Sequence, residues 1–109
     1  MQMTSIPFGT TDWSAIPEVV HNGAQGTATW RTQTFGDIRV RMVEYSAGYV
    51  ADHWCDRGHI LLVLEGSMTT ELDDGRNTTL GAGSSYQVGD DTQSHRSSTK
   101  TGARLFIVD

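Results

Sequence analysis

Turn-forming residues recur at short intervals through most of this chain, and they constrain its fold more than any other feature. Gly36-Asp37, Glu65-Gly66 and residues 73–75 are strong turn signals. Between the turns lie short runs rich in β-branched, aromatic and aliphatic residues, which predict strands at 27–34, 38–43, 49–55, 59–64, 68–72, 78–80, 85–88, 93–97 and 104–108. The sequence therefore predicts an all-β fold, and closure of the strands into a jelly-roll barrel would shield most of their edges.

The chain is long enough for one domain. Its 109 residues are close to the commonest domain size, so we expect a single hydrophobic core. Residues 1–24 contain both prolines and lack sustained periodicity, which predicts an irregular N-terminal arm with one helical turn near residues 13–19. Residues 25–109 are predicted to form the β-barrel domain.

Charge and composition limit the classes of partner that the protein is expected to bind. The formal net charge is -5 and the basic residues are scattered, so nucleic acid is not an expected partner. No apolar run approaches the roughly 20 residues of a membrane span, and the N-terminal residues do not resemble a signal peptide. We therefore expect no membrane partner and a cytoplasmic location. A single cysteine cannot form an internal disulfide, which suits a reducing compartment.

Three histidines and the cysteine form the most informative cluster in the sequence. His53 and Cys55 are two residues apart, so on a strand both side chains lie on one face, about 7 Å apart along the chain. A turn after Cys55 can fold His59 back beside them, and a barrel can bring His95 in from another wall. Imidazole and thiolate suit Zn²⁺, Fe²⁺ or Ni²⁺ better than Mg²⁺ or Ca²⁺. The four residues are the predicted metal ligands, with Zn or Fe as the favoured metal.

The role of Cys55 divides three hypotheses. If all four residues bind, the shell is closed, as in a structural Zn²⁺ site of a non-catalytic binding module. If Cys55 is weak or displaced, three histidines leave positions open for a small-molecule ligand. A thiolate beside a metal is also readily oxidised, so a redox sensor is a third interpretation.

The spacing of these residues resembles the first cupin motif, G-x5-H-x-H-x3,4-E-x6-G. His53 corresponds to the first histidine, Cys55 to the second, His59 to the glutamate and Gly66 to the final glycine, while Gly48 is one residue closer than the motif requires. The string of residues 52–59 is similar to that of a small bacterial subgroup of cupins named for an Asp/His/Cys/Trp motif. Relative to most cupins, nitrogen and sulfur replace an oxygen and a nitrogen ligand, which favours softer metals.

The second cupin motif, G-x5-P-x-G-x2-H-x3-N, is echoed more weakly. Gly83 matches its first glycine and His95 lies one residue late, while Gly89 and Asp91 stand where the motif has proline and glycine. The resemblance spans residues 48–108 and implies a cupin barrel with an internal metal. It also implies a homodimer and a small-molecule ligand, with metal-dependent oxygenases and isomerases among the activities of the family; fold analogy alone does not select one of them.

Three further residues are candidates for a substrate pocket. Glu44 shares the alternation of Ile38, Val40 and Met42, so it would face the interior if those apolar residues do. A bulge that turns it outward is the alternative. Tyr86 and Gln93 are the other candidates, and Gln93 has the same strand parity as His95. Arg57 and Arg96 are each one or two residues from a predicted ligand, and on regular strands they would point away from the metal.

Overall fold

This computed structural model describes residues 3–109, so the first two residues of the predicted arm lie outside the described part. Within these residues there are one short 3-10 helix, Trp13–Ala15, and eight strands: β1 Val19–Asn22, β2 Thr27–Phe35, β3 Ile38–Tyr45, β4 His59–Leu72, β5 Asn77–Gly81, β6 Ser85–Val88, β7 His95–Ser98 and β8 Ala103–Val108. The predicted all-β class is confirmed, and the short helix falls within the segment where one helical turn was expected. No helix within residues 3–109 has the length and apolarity needed to cross a membrane.

All the strands pair antiparallel, and β4 belongs to both of the sheets that they form. The larger sheet has the order β1-β2-β3-β8-β4-β6, in which the first half of β4 lies between β8 and β6. The second half of β4 lies between β5 and β7 in the smaller sheet. A strand that passes from one sheet into the other brings the inner faces of both sheets onto one core.

That core is a single apolar cluster built from both sheets. Its most completely buried large side chains are Leu61, Val63, Met68 and Leu105. Leu61, Val63 and Met68 all belong to β4, and Leu105 comes from its neighbour β8. Burial of a large aliphatic side chain stabilises a fold by roughly 1.5–3 kcal/mol. β4 and β8, which carry these four side chains, therefore contribute much of the stability of the core.

Three local predictions require correction. Residues 49–55 were predicted to form a strand, but they contain only isolated bridges at Val50 and Cys55. Glu65-Gly66 was expected to be a hairpin turn, but β4 runs through it with a register shift between Val63 and Glu65. Gly66 has a φ of +75°, so the strand bends there and continues into the second sheet instead of reversing. The predicted N-terminal arm is irregular only up to β1, because residues 19–22 pair with β2. The division at residue 24 remains a prediction.

Candidate functional site

Two of the predicted ligands, His59 and His95, lie side by side inside the molecule. His59 begins β4 and His95 begins β7, and their ring centroids are 4.8 Å apart with the rings nearly perpendicular, at 79°. His59 Nε2 is 2.8 Å from the Tyr86 hydroxyl. His95 Nδ1 lies 2.9 Å from the backbone carbonyl of Gln93. A carbonyl oxygen can only accept, so Nδ1 of His95 carries the proton and Nε2 holds a lone pair.

The free nitrogen of His95 is the most telling atom of the site. His95 is only 2% exposed, and its Nε2 has no hydrogen-bond partner within the described part of the chain. Burial lowers the pKa of this imidazole, although the Gln93 carbonyl partly opposes that effect, so the ring is kept neutral. A neutral histidine fixed through one nitrogen, with the other nitrogen unused, is the arrangement of a typical metal-ligating histidine.

The other two predicted ligands are close by but face outward to different degrees. Cys55 pairs with His95 through two backbone hydrogen bonds of 2.8 and 3.0 Å, so the two residues are opposite each other in an antiparallel bridge and share a face. The side chain of His53 is 77% exposed, and its Nδ1 lies 2.6 Å from an Asp52 carboxylate oxygen. That hydrogen bond from His53 lowers the pKa of Asp52.

All four predicted ligands line one cavity of about 310 Å³, which we call the central cavity. Its wall also includes Trp30, Arg39, Arg41, Val43, Tyr45, Ala51, Arg57, Leu61, Tyr86, Arg96, Ser97 and Ile107. Among residues 3–109, however, no three side chains of His, Cys, Asp or Glu converge closely enough to hold a metal ion together. The fold thus gathers the four residues around one space, while their present rotamers bring only the two imidazole rings into contact.

The three predicted pocket residues are distributed over different surfaces. Tyr86 lines the central cavity and also a second cavity of about 260 Å³, which we call the side cavity. Gln93 lines only the side cavity, where its amide donates to a carboxylate oxygen of Asp73. Burial raises the pKa of Tyr86, so its hydroxyl keeps its proton. His95 and Tyr86 belong to the walls of both cavities and separate them.

Glu44 lies away from both cavities. It is exposed and borders a surface groove together with Arg31 and Arg104. The inward orientation predicted for Glu44 assumed that the even-numbered residues of β3 face the core. In the structure the odd-numbered Val43 and Tyr45 are buried, and Glu44 between them faces out. No bulge is involved, since β3 pairs with β2 in continuous register.

The inward face of β3 carries two arginines that the sequence analysis missed. Arg39 and Arg41 alternate with the apolar residues of β3, and both line the central cavity. Asp109, whose side chain is completely buried, accepts hydrogen bonds of 2.8 and 3.1 Å from Arg39 and of 2.9 Å from Arg41. The pairing of β3 with β8 carries Asp109 to this position, because Val40 is opposite Val108. Only this cross-strand pairing reveals why two charged residues face inward.

The charges around Asp109 set its protonation state. Burial alone would raise the pKa of this carboxyl group, but the neighbouring His59 ring and the Arg39 and Arg41 guanidinium groups more than offset that effect. The pKa of Asp109 therefore lies well below its usual range, and the carboxylate is ionised at neutral pH. His59 Nδ1 lies 3.7 Å from an Asp109 oxygen, which is beyond hydrogen-bond distance.

Two other arginines also reach the cavity, against expectation. Arg57 and Arg96 line it, and Arg57 Nε is 3.4 Å from an Asp109 oxygen. Arg57 lies outside the regular strands, so strand alternation does not govern its direction. Arg96 pairs with Glu71 at 3.0 Å and its guanidinium lies over the Trp54 ring at 4.5 Å. No spacing rule in the sequence indicated either orientation.

Several solved structures resemble this chain, although their sequences are at most 21% identical to it in the cases below. No family model and no curated protein matches the chain. An RmlC-like cupin from Shewanella frigidimarina superposes with a TM-score of 0.72 at 17% identity, over 96% of this chain and 92% of that one. The polyketide cyclase RemF from Streptomyces resistomycificus gives a TM-score of 0.76 at 21% identity, over 94% and 78% of the two chains.

A third similar structure holds iron. Fe(II)-HppE, solved with the alternative substrate (S)-1-HPP, gives a TM-score of 0.77 at 13% identity, over 94% of this chain and 60% of that one. At identities this low, likeness shows the fold and leaves activity open. The chain has the cupin fold that its motif spacing predicted.

Proposed function

We propose that this protein binds one divalent transition metal in the central cavity and binds or transforms a small organic molecule beside it. His53, His59 and His95 would be the ligands, with Cys55 as a fourth or labile ligand. The observation that carries the proposal is the buried, unpartnered Nε2 of His95. Leaving such an acceptor without a partner costs roughly 1–3 kcal/mol, and a metal ion would remove that cost.

The donor set fits a soft or borderline metal. Three imidazoles and a thiolate favour Zn²⁺, Fe²⁺ or Ni²⁺, and the similarity to an Fe(II) protein makes iron worth loading first. His59 offers its Nδ1, which is buried and has no hydrogen-bond partner within the described residues. Binding would also require the largely exposed His53 ring to turn toward the cavity. A bound metal would supply Lewis-acid or oxygen-activating chemistry there.

The space beside the histidines favours an open site over a closed structural one. A four-ligand structural zinc needs no cavity, whereas this site borders about 310 Å³ of space. If His59 bound through Nδ1, its Nε2–H would donate to the Tyr86 oxygen, and the Tyr86 hydroxyl, kept protonated by its raised pKa, could donate a hydrogen bond to a ligand. Val43, Leu61 and Ile107 form an apolar part of the wall of the same space.

Metal analysis of variants tests this proposal. The protein would be purified without a nickel column, reconstituted with Fe²⁺ under anaerobic conditions or with Zn²⁺, and its metal content measured by mass spectrometry. We expect about one metal per chain in the wild type and its loss in His59→Ala. His21→Ala is the matched control, because His21 is exposed on β1 and lines neither cavity.

The same measurement separates the coordination hypotheses. Retention of metal in Cys55→Ala would support the open three-histidine site, and its loss would support closed coordination by nitrogen and sulfur. A wild-type protein that takes up none of these metals, or a His59→Ala variant that binds them as well as the wild type, would refute the proposed site.

A further inference from the structure

The wall of the central cavity carries several arginines in an otherwise acidic protein, and one of them, Arg96, is already paired with Glu71. It carries four arginines, namely Arg39, Arg41, Arg57 and Arg96, and none of its described residues is Asp or Glu. The chain as a whole has a formal charge of -5. Asp109, just behind the wall, is approached by three of the arginines, at 2.8 Å by Arg39, 2.9 Å by Arg41 and 3.4 Å by Arg57. One carboxylate therefore faces three guanidinium groups.

Arg41 is a buried cation with one hydrogen-bond donor unused. Its side chain is 7% exposed, and its Nε has no hydrogen-bond partner in the described part of the chain. The guanidinium lies 4.3 Å from the centroid of the Trp30 ring, which fixes its plane. Burial lowers the pKa of Arg41, and the charge of Arg39 adds to that effect. A buried cation with an unused donor, beside a second and a third cation, is a place where an anion binds.

We propose that the central cavity binds a small organic carboxylate, whose anionic end is held by Arg41 and Arg57. This inference rests on the proposed function for the location of the ligand, since it names the ligand class of the same cavity, but it does not require the metal. The ligand carboxylate would lie beside Asp109 and would neutralise the positive charge of the arginines that Asp109 alone does not neutralise. Trp30 and Tyr86 would contact the apolar body of the ligand.

The geometry favours a carboxylate over a phosphate. Asp109 already occupies Arg39 and one terminal nitrogen of Arg41, so a single guanidinium edge and the Arg57 side chain remain. A planar carboxylate matches one such edge. A phosphate dianion would bring a second charge toward the Asp109 carboxylate. A volume of about 310 Å³ is at the lower limit of ligand pockets, which fits a molecule with at most one ring.

Calorimetric titration tests the proposal with benzoate and pyruvate as carboxylate probes. Benzamide is the neutral isostere of benzoate, and phenyl phosphate is the phosphate probe. We expect saturable binding of at least one acid, with benzamide binding at least tenfold more weakly than benzoate if benzoate is that acid. The titrations would be repeated after chelation, so that binding to a metal is distinguished from binding to arginine.

Variants identify the groups that hold the carboxylate. Arg57→Gln should weaken binding about tenfold, since it removes a charge-assisted hydrogen bond whose strength is reduced because half of the Arg57 side chain is exposed to water. Arg104→Gln is the matched control, because Arg104 pairs with Glu65 outside the cavity. Arg41→Met should abolish binding, and Arg57→Gln decides the matter if that variant fails to fold.

Four results would overturn the inference: no saturable binding of either acid, equal affinity for benzoate and benzamide, preference for phenyl phosphate, or binding that Arg57→Gln leaves unchanged. The two proposals fail separately. Acid binding that survives chelation would support this one even if no metal is found. Acid binding that disappears on chelation and is unchanged in Arg57→Gln would show that the acid binds the metal. That result would refute a carboxylate site at Arg41 and Arg57.

Discussion

At the scale of single residues, Asp109 organises the interior more than any predicted ligand does. Its buried carboxylate accepts three hydrogen bonds from Arg39 and Arg41, and it lies near Arg57 and His59. Buried charges persist in a fold only when they are paired and hydrogen-bonded. Asp109 therefore stabilises arginines on the inner face of a strand. We expect its removal to affect the stability of the fold more strongly than it affects binding.

We predict that Asp109→Asn lowers the free energy of unfolding by about 3 kcal/mol at pH 7, since it leaves Arg41 buried without a counter-charge. Urea denaturation measures this change. Asp37→Asn is the control, because Asp37 is exposed in a turn. Equal stability of Asp109→Asn and the wild type would show that the arginines do not depend on this carboxylate.

The pH dependence of the same pair gives a second readout of this prediction. The pKa of Asp109 is lowered on folding, so its contribution is fully present above its unfolded pKa of about 3.9 and is lost as the pH falls through the folded value. The stability difference between wild type and Asp109→Asn should therefore be largest at neutral pH and shrink below about pH 4. A difference that stays constant down to pH 3 would contradict this assignment.

At the scale of elements, β4 carries the architecture. It is 14 residues long, begins at the candidate ligand His59 and ends in the second sheet. Its buried residues change parity along the way, since Leu61 and Val63 are buried before Gly66, and Met68 and Thr70 after it. The register shift and the bend at Gly66 produce that change. The final glycine of the first motif is therefore a structural requirement of the strand.

We predict that Gly66→Ala destabilises the fold by about 2 kcal/mol or more. Gly66 has a φ of +75°, and an added Cβ would overlap the backbone carbonyl oxygen of Gly102. Gly81→Ala is the matched control, since the position of its Cβ is open and its change should be within about 0.5 kcal/mol. Thermal unfolding of both variants measures the effect, and equal melting temperatures would argue against a strained bend at Gly66.

At the scale of the whole molecule, β1 is an edge strand that leaves apolar side chains uncovered. Among the strands of residues 3–109 it pairs only with β2, and Val19 and Val20 are 55% and 61% exposed. Exposed edges of this kind invite pairing with another chain. The homodimer expected from the family resemblance would cover them through sheet extension or packing along β1.

We predict that the protein is a dimer at micromolar concentration and that Val20→Lys shifts it to monomer, because a charge on the edge opposes strand pairing. Light scattering coupled to gel filtration measures the mass. Thr79→Lys on β5, an edge strand of the smaller sheet, is the control and should remain dimeric. A monomeric wild type would refute the dimer hypothesis. A dimeric Val20→Lys variant would show that the dimer interface does not include β1.

The all-β class, most of the strands and the cupin fold could be predicted from local patterns in the sequence. Turn residues and alternating patterns are local signals, and the spacing of His53, Cys55, His59 and Gly66 follows from their places on one hairpin-like segment. The approach of His95 to Cys55 was also anticipated, since the bridge between them lies where a barrel would put it. The metal and its ligand set remain predictions.

The inward-facing side of β3 could not be predicted from the sequence, because it depends on a contact between distant parts of the chain. The alternation of β3 shows that Arg39 and Arg41 share one face and that Glu44 shares the other, but it does not show which face is buried. The inward orientation of Arg39 and Arg41 is explained by Asp109, which lies 68 residues further along the chain than Arg41. Strand pairing places the Asp109 carboxylate against both guanidinium groups. A buried charge is stable only beside its partner, and such long-range pairing leaves no periodic signal in the sequence.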